Sequence, residues 1–214
     1  MSIGPLFISR LKNYINTAQL SQVKISNKIP DNLLSIQPKK KRAAVLIPLC
    51  NRHGTPSILF TLRSTSVGTH KGQVSFPGGH IDNGETAVDA SIRETYEELG
   101  CTIGNIEIIG ECQTVPAITG TLVSPIFGFI EQDVEDFAHL SPSPTEVDRV
   151  FSRSLEELMR PGARRVEMLS RGGAGGTIEM PVFGEEGSDE RIWGLTALIL
   201  DGVLQNLVIP NLPP

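Results

Sequence analysis

The chain is poor in cysteine, in aromatic residues and in long apolar runs, and each shortage removes a class of protein. Three cysteines, Cys50, Cys101 and Cys112, are scattered over 214 residues with no CxxC pair. That excludes a disulfide-built scaffold and a cysteine-built zinc site, and it fits a reducing compartment. No stretch approaches the roughly 18 apolar residues of a membrane-spanning helix. Aromatics make up 5% of the residues, while 21 glycines and 15 prolines point to many turns. With 39% hydrophobic and 20% charged residues, the chain can fill the core of one ordinary domain.

Each half of the chain is also short of one sign of charge. Residues 1–80 hold 11 Lys and Arg against a single acid, Asp31; residues 81–214 hold 8 Arg, no Lys and 23 acids. A basic front joined to an acidic back suits an anionic ligand bridged to carboxylates by a metal, although two solvated faces would read the same way. The run Pro38–Lys39–Lys40–Lys41–Arg42 leads straight into an apolar segment. It reads as a strand edge or a phosphate-steering patch rather than an import signal.

What is present is a mixed pattern of strands and helices. Ala43–Leu49 reads as a buried strand, with Ser57–Leu62 as its antiparallel partner across the His53–Gly54–Thr55–Pro56 turn. Ile106–Gly110, Leu122–Ile130 and Thr177–Phe183 are further strand-like runs, and Ser154–Met159 and Leu195–Leu204 are helical. The glycine cluster Gly172–Gly176 lacks a preceding strand and a following Lys-Ser/Thr, so it predicts a hairpin loop rather than a phosphate cradle. His53 and His139 stand in polar, turn-like surroundings, and Trp193 reads as core or as a shelf for a ligand.

Between Thr86 and Leu99 the period turns helical. Val88, Ile92, Thr95 and Leu99 form one narrow stripe, Thr86 with Asp89 gives a capping-box signature, and Gly100 stops the helix. Glu94, Glu97 and Glu98 fall within about 100° of each other on the far side. Three carboxylates on one face repel one another, and Arg93 is the single cation inside the helix. A divalent cation with hard oxygen ligands would neutralise them, Mg²⁺ or Mn²⁺ being the natural choices; a solvated acidic face is the plain alternative.

Spacing decides between them. Gly79, five residues, Glu85, seven residues, Arg93–Glu94, two residues, Glu97–Glu98, one residue, Gly100 resembles the Nudix box, with every fixed Gly, Glu and Arg in place. Thr95 and Cys101 depart from it, at positions the family fills with Ile, Leu or Val. Upstream, Leu59–Phe60–Thr61–Leu62–Arg63–Ser64 leads through Gly72 to Phe76–Pro77–Gly78–Gly79, which is similar to the signature of the coenzyme A pyrophosphatase branch. Gly68 stands where that signature has a second arginine, and the cationic role would then pass to His70 or Lys71. Ile192–Trp193–Gly194–Leu195–Thr196–Ala197 also looks like this branch, so the resemblance spans roughly residues 40–205.

The resemblance implies an α/β fold, a mixed β-sheet sandwiched between helices, with the box as a loop–helix–loop. It implies a Nudix domain over residues 36–209, an N-terminal extension over 1–35 and a tail over 210–214. The implied reaction is metal-dependent hydrolysis of a phosphoanhydride, in coenzyme A or its derivatives for this branch, to 3′,5′-ADP and 4′-phosphopantetheine. Glu94, Glu97 and Glu98 would hold Mg²⁺ or Mn²⁺, with Glu97 also taking the proton of the attacking water. Arg93 would orient the carboxylates and pair with Glu85, while Gly100 ends the helix. Gly78 and Gly79 would let the backbone approach the pyrophosphate, and His80 could face the site. Arg63, His70 and Lys71 would contact phosphates, including the 3′-phosphate.

Two other readings stay open: a Nudix pyrophosphatase acting on ADP-ribose, NADH or a nucleoside triphosphate, and a non-catalytic binding module of the same fold. The expected partner is a small molecule, without nucleic acid or membrane span; a homodimer is left open. Residues 1–30 hold Arg10, Lys12, Lys24 and Lys28, no acid and an amphipathic run of Leu6, Ile8, Leu11, Tyr14 and Ile15. That run resembles a mitochondrial transit segment or an ordinary helix, so cytoplasm or mitochondrion is expected and secretion is not. The chain ends Leu212–Pro213–Pro214, without a peroxisomal tripeptide.

Overall fold

The computed structural model describes residues 3–17, 23–25, 41–64, 72–137, 140–170 and 177–212. Its centre is an eight-stranded mixed sheet with the order β3-β2-β1-β7-β5. These strands are β1 (Arg42–Arg52), β2 (Thr55–Arg63), β3 (Val74–Ser75), β5 (Ile106–Glu111) and β7 (Leu122–Ile130). Three more attach off that path: β4 (Gly78–His80) to β1, β6 (Val115–Pro116) to β7 and β8 (Val147–Ser154) to β2. Among the described strand pairs of this sheet only β1–β7 is parallel, and Val23 adds a parallel bridge to Cys112.

β1 and β2 form the expected hairpin, with a tighter turn than expected. Arg52 pairs with Thr55, so only His53 (φ 47°) and Gly54 (φ 71°) turn the chain, while Thr55 and Pro56 already belong to β2. Two successive positive φ values match the twist of the flanking strands. The hairpin then opens. β1 pairs with β2 at Leu49–Arg52 and with β4 at Ala43–Val45, while β2 leaves β1 after Ile58 and takes β3 at Thr61–Leu62. The short β3–β4 segment fills this fork, held at its crotch by Leu46 N–H donating to Pro77 O at 2.9 Å. Stacking of Phe60 on Phe76 and Phe151, with centroids 5.2 and 5.5 Å apart, anchors the same segment.

Two apolar layers cover the sheet. Ile47, Leu49, Ile58 and Phe60 share one cluster with the N-terminal helix α1 (Pro5–Thr17) and with α4 (Gly194–Val203). Cys50 and Leu59 belong to a second cluster with Leu99, at the end of helix α2 (Ala87–Leu99), and Ile103. Helices therefore lie on both faces. α1 buries Ile8, Leu11 and Ile15, so packing runs across the expected boundary at residue 35; Leu6 of the same amphipathic run is 72% exposed. A short α3 (Leu155–Met159) follows β8 with Ser154 as its cap, and β9 (Arg164–Ser170) pairs with β10 (Thr177–Phe183) as a separate antiparallel ribbon. The glycine cluster expected as a hairpin loop lies outside the described residues, between those two strands. Past α4 the chain makes a π turn at Leu204–Val208 and a last helical turn, α5 (Ile209–Asn211). No described helix is long and apolar enough to cross a membrane.

The sequence carries no clear strand signal for β8 and β9, nor for the two- and three-residue strands β3, β4 and β6. β8 reads Val-Asp-Arg-Val-Phe-Ser-Arg-Ser without clean alternation, and β9 is an edge strand with Val166 and Met168 exposed, so neither carries a period-2 signal.

Candidate active site in the fork of the sheet

The fork places Gly78 and Gly79 against β1 and delivers α2 immediately afterwards. α2 begins as the sequence predicts: Thr86 Oγ1 accepts from Asp89 N–H at 3.1 Å. The box is not closed, because the Asp89 carboxylate accepts from the Thr86 hydroxyl at 2.6 Å instead of reaching a backbone N–H. At the other end Gly100 (φ 87°) stops the helix and its N–H donates to Tyr96 O.

The faces of α2 differ from expectation. Ala90, Ser91, Thr95, Glu98 and Leu99 are buried, whereas Val88 and Ile92 of the expected stripe are only half-buried. Thr95 satisfies its hydroxyl on Ser91 O at 2.7 Å. Glu98, expected on an exposed acidic face, is 4% exposed. The cause is the fork: α2 packs on β1 and β4 at once, so the side turned toward Gly78 is covered as well as the apolar side.

The carboxylates divide into two groups. Outward, Arg93 is the hub: Nε and Nη2 donate to the two Glu85 oxygens at 2.8 and 3.0 Å, and Nη1 donates to Glu94 at 3.0 Å and to Glu97 at 3.2 Å. Nη2 also donates to His80 O at 3.0 Å, which ties the box loop to the helix; the imidazole-bearing residue itself is exposed. The expected Arg93–Glu85 pair is thus bidentate. The Arg93 hydrogen bond, joined by one from Asp82 N–H, holds the Glu85 carboxyl below the usual range. Glu85 raises the Arg93 pKa further above its already high value.

Inward stands Glu98. Burial pushes its carboxyl up to about 8; Arg63 opposes this, Glu146 and Glu94 reinforce it, and a hydrogen bond from Gly78 N–H opposes it again. Arg63 Nη1 is 3.9 Å from Glu98 Oε1, while Glu98 Oε2 is buried without a hydrogen-bond partner. Burial likewise raises Glu94, with the Arg93 hydrogen bond and charge pulling the other way and Glu97 and Glu146 adding to the rise. The buried Glu98 and part-buried Glu94 therefore repel each other, and both are repelled by the exposed Glu146.

Glu146 is a further candidate residue, its charge acting on both Glu98 and Glu94, that the sequence does not mark. It sits in the Ser141–Glu146 loop, stitched to the end of α2 by Ser141 N–H to Leu99 O (3.1 Å) and Ser143 N–H to Glu98 O (3.0 Å). Its own carbonyl accepts from Ser64 N–H at 2.8 Å. No motif marks it; an acid directly before a strand was the one available signal.

The glycines meet protein rather than open space. A Cβ on Gly78 (φ 151°) would lie 2.3 Å from Ala44 O, and one on Gly79 would lie 2.4 Å from the Glu94 carboxyl carbon. Both are glycine because β1 and Glu94 occupy the space. Arg63, expected at a phosphate, faces Glu98. His70 and Lys71 lie outside the described residues, as do Gly68 and His139.

Glu94, Glu97 and Glu98 do not converge. Glu97 is turned outward onto Arg93 and Glu98 inward, and no three His, Cys, Asp or Glu side chains among the described residues are gathered closely enough to enclose an ion. The donor set nonetheless fits a hard divalent cation. It is all carboxylate oxygen, its members repel one another, and one buried oxygen, Glu98 Oε2, has no partner.

The chain is similar to known proteins over most of its length. The chain is 34% identical over 189 residues to the mitochondrial coenzyme A diphosphatase NUDT8 of Mus musculus, covering 83% of this chain and 88% of that protein. It is 33% identical to the uncharacterized Nudix hydrolase NudL of Klebsiella pneumoniae, covering 83% and 88% respectively. A crystal structure of a MutT/nudix family protein from Enterococcus faecalis superposes with a TM-score of 0.51 at 19% identity, covering 79% of this chain and 62% of that one, a likeness of fold. The NUDIX domain family matches residues 40–169, which contain the fork, the box helix and Glu146. The chain therefore belongs to the Nudix family and is a Nudix hydrolase with pyrophosphatase activity.

Proposed function

We propose that this protein hydrolyses the phosphoanhydride of coenzyme A or its acyl derivatives, giving 3′,5′-ADP and 4′-phosphopantetheine or its acyl form, with Mg²⁺ or Mn²⁺. The observation that carries the chemistry is Glu98: a buried carboxylate with one unpartnered oxygen, facing Glu94 and Glu146. The substrate rests on the Leu59–Ser64 and Phe76–Gly79 signature and on relatives named for coenzyme A.

Glu94 and Glu98 would hold the cation with Glu146 as a third oxygen donor, while Glu97, turned onto Arg93, would stand beside this set. Such a cation would neutralise the diphosphate and lower the pKa of a coordinated water. Glu97, with 56% of its side chain exposed, is the carboxylate best placed to accept the proton of the attacking water. Arg93 keeps Glu94 and Glu97 oriented while braced on Glu85, so the acids do not have to find their geometry during turnover. His70 and Lys71 are the proposed contacts to the 3′-phosphate.

Incubation with coenzyme A and Mg²⁺, followed by mass spectrometry of the products, tests this. The expected products are 3′,5′-ADP and 4′-phosphopantetheine. Intact coenzyme A beside cleaved ADP-ribose or NADH would move the substrate to another nucleoside diphosphate derivative. Tight metal binding with no cleavage of any of them would make the domain a binding module.

A further inference from the structure

Arg63 stands apart from the other cations of the site. It closes β2 where the register against β8 shifts: Leu62 faces Arg149 and Arg63 faces Val147, so Asp148 is bulged out of the ladder. Bulges beside active sites re-aim neighbouring side chains. The opposite edge of Arg63 is fixed as well, its N–H donating to Gln73 O at 3.0 Å and its carbonyl accepting from Gly72 N–H at 3.1 Å. From that backbone the guanidinium points across the fork to Glu98 Oε1, 3.9 Å away. Among the described residues no other Lys or Arg lies within 4.0 Å of Glu98, because Arg93 is taken by Glu85, Glu94 and Glu97. The two oxygens of Glu98 are therefore unlike: Oε1 faces a cation of the chain, Oε2 is buried with no partner, and the Gly78 N–H bond to the carboxyl carries no charge.

We propose that Arg63 is a positioning residue of the metal site: it holds Glu98 by Oε1 so that Oε2 is presented to the divalent cation, and it does not read the substrate's 3′-phosphate. The inference rests on the reading of Glu98 as a metal ligand. Two features favour it over a phosphate contact. The Arg63 side chain is 27% exposed and directed at α2 instead of outward. Its backbone is held on both edges of β2, which fixes the point beside α2 from which the side chain starts. A separation of 3.9 Å gives a charge interaction without a closed hydrogen bond, so Arg63 does not compete for the oxygen the metal needs.

The test uses Arg63→Gln and Arg63→Lys in the full chain. In substrate-free protein, Arg63→Gln is expected to weaken Mn²⁺ binding by about 10-fold, the scale seen when a partner behind a metal ligand is lost, and Arg63→Lys to restore most of it. With substrate, kcat/KM falls by the same factor for coenzyme A and for its 3′-dephospho form. Unchanged or tighter Mn²⁺ binding, with the loss confined to coenzyme A, would overturn the inference and make Arg63 a phosphate reader. A melting cycle on metal-free protein adds a readout independent of turnover. Arg63→Gln lowers Tm in the natural background and leaves it unchanged in a Glu98→Gln background; equal losses in both would also overturn the inference. Failure to cleave coenzyme A would refute the proposed substrate alone, since the metal titration and the melting cycle need no substrate.

Discussion

The Glu94 carboxyl carbon lies 2.4 Å from the position a Cβ would take on Gly79, so the glycine of the box exists to let one of its own glutamates in. Gly79→Ala meets only the end of a flexible side chain, whereas Gly78→Ala meets the β1 backbone, 2.3 Å from Ala44 O, at a φ of 151°. The two alanines should therefore fail differently. Gly79→Ala is expected to keep its Tm within a few degrees and to lose at least about 10-fold in turnover through a displaced Glu94. Gly78→Ala is expected to lose stability first. Melting curves and single-substrate kinetics on both variants check this; equal Tm losses would contradict it.

Glu98→Gln should separate function from stability. Turnover is expected to fall by at least about 10²-fold, since a charged ligand is replaced by a neutral one. Stability should move the other way in metal-free protein. The Glu98 carboxyl is pushed up to about 8 in the folded chain against an ordinary value of 4.5. Below the ordinary value both states are protonated; as pH rises toward 8 the unfolded chain ionises first, and the natural residue progressively loses stability that glutamine retains. The variant should melt higher than the parent at pH 8 and level with it near pH 4.5, with about 2–4 °C of Tm per kcal/mol for a chain of this size. A lower Tm at both pH values would contradict the account.

Glu146→Gln should weaken Mn²⁺ binding in substrate-free protein without changing Tm by more than a few degrees, because Glu146 is exposed and its backbone, which ties Ser64, is untouched. Isothermal titration gives the answer. An unaltered dissociation constant would remove Glu146 from the donor set.

Leu11→Ala tests the N-terminal helix. Leu11 is fully buried in the cluster that holds α4 and one face of the sheet. The cost is expected at about 2–5 kcal/mol, a Tm drop on the order of 10 °C. A drop under about 2 °C would mean that residues 5–17 are an appendage rather than core.

The sequence showed the outward half of the site and hid the inward half. Glu94 and Glu97 share a face through their spacing on one helix, a local property that periodicity carries, and the Arg93–Glu85 pair was implied by the resemblance to the Nudix box. Thr86, Gly100 and the His53–Gly54 turn were visible for the same reason. The burial of Glu98 was not, because it depends on β1 and β2 parting after Ile58 and on β4 filling the gap, a relation between strands distant in sequence. Glu146 was missed on the same ground, reaching the site only through the backbone ties of Ser141 and Ser143 to α2. Arg63 stands in a signature whose spacing says nothing of the bulge beside it or of its approach to Glu98.

The most direct test of the proposed activity is the ratio of kcat/KM for coenzyme A to that for ADP-ribose, measured in one buffer with saturating Mg²⁺ and repeated after chelation. A ratio well above one, with both activities lost on chelation and regained with Mg²⁺ or Mn²⁺, is the predicted result. A ratio below one, or hydrolysis of coenzyme A that survives removal of the metal, would contradict it.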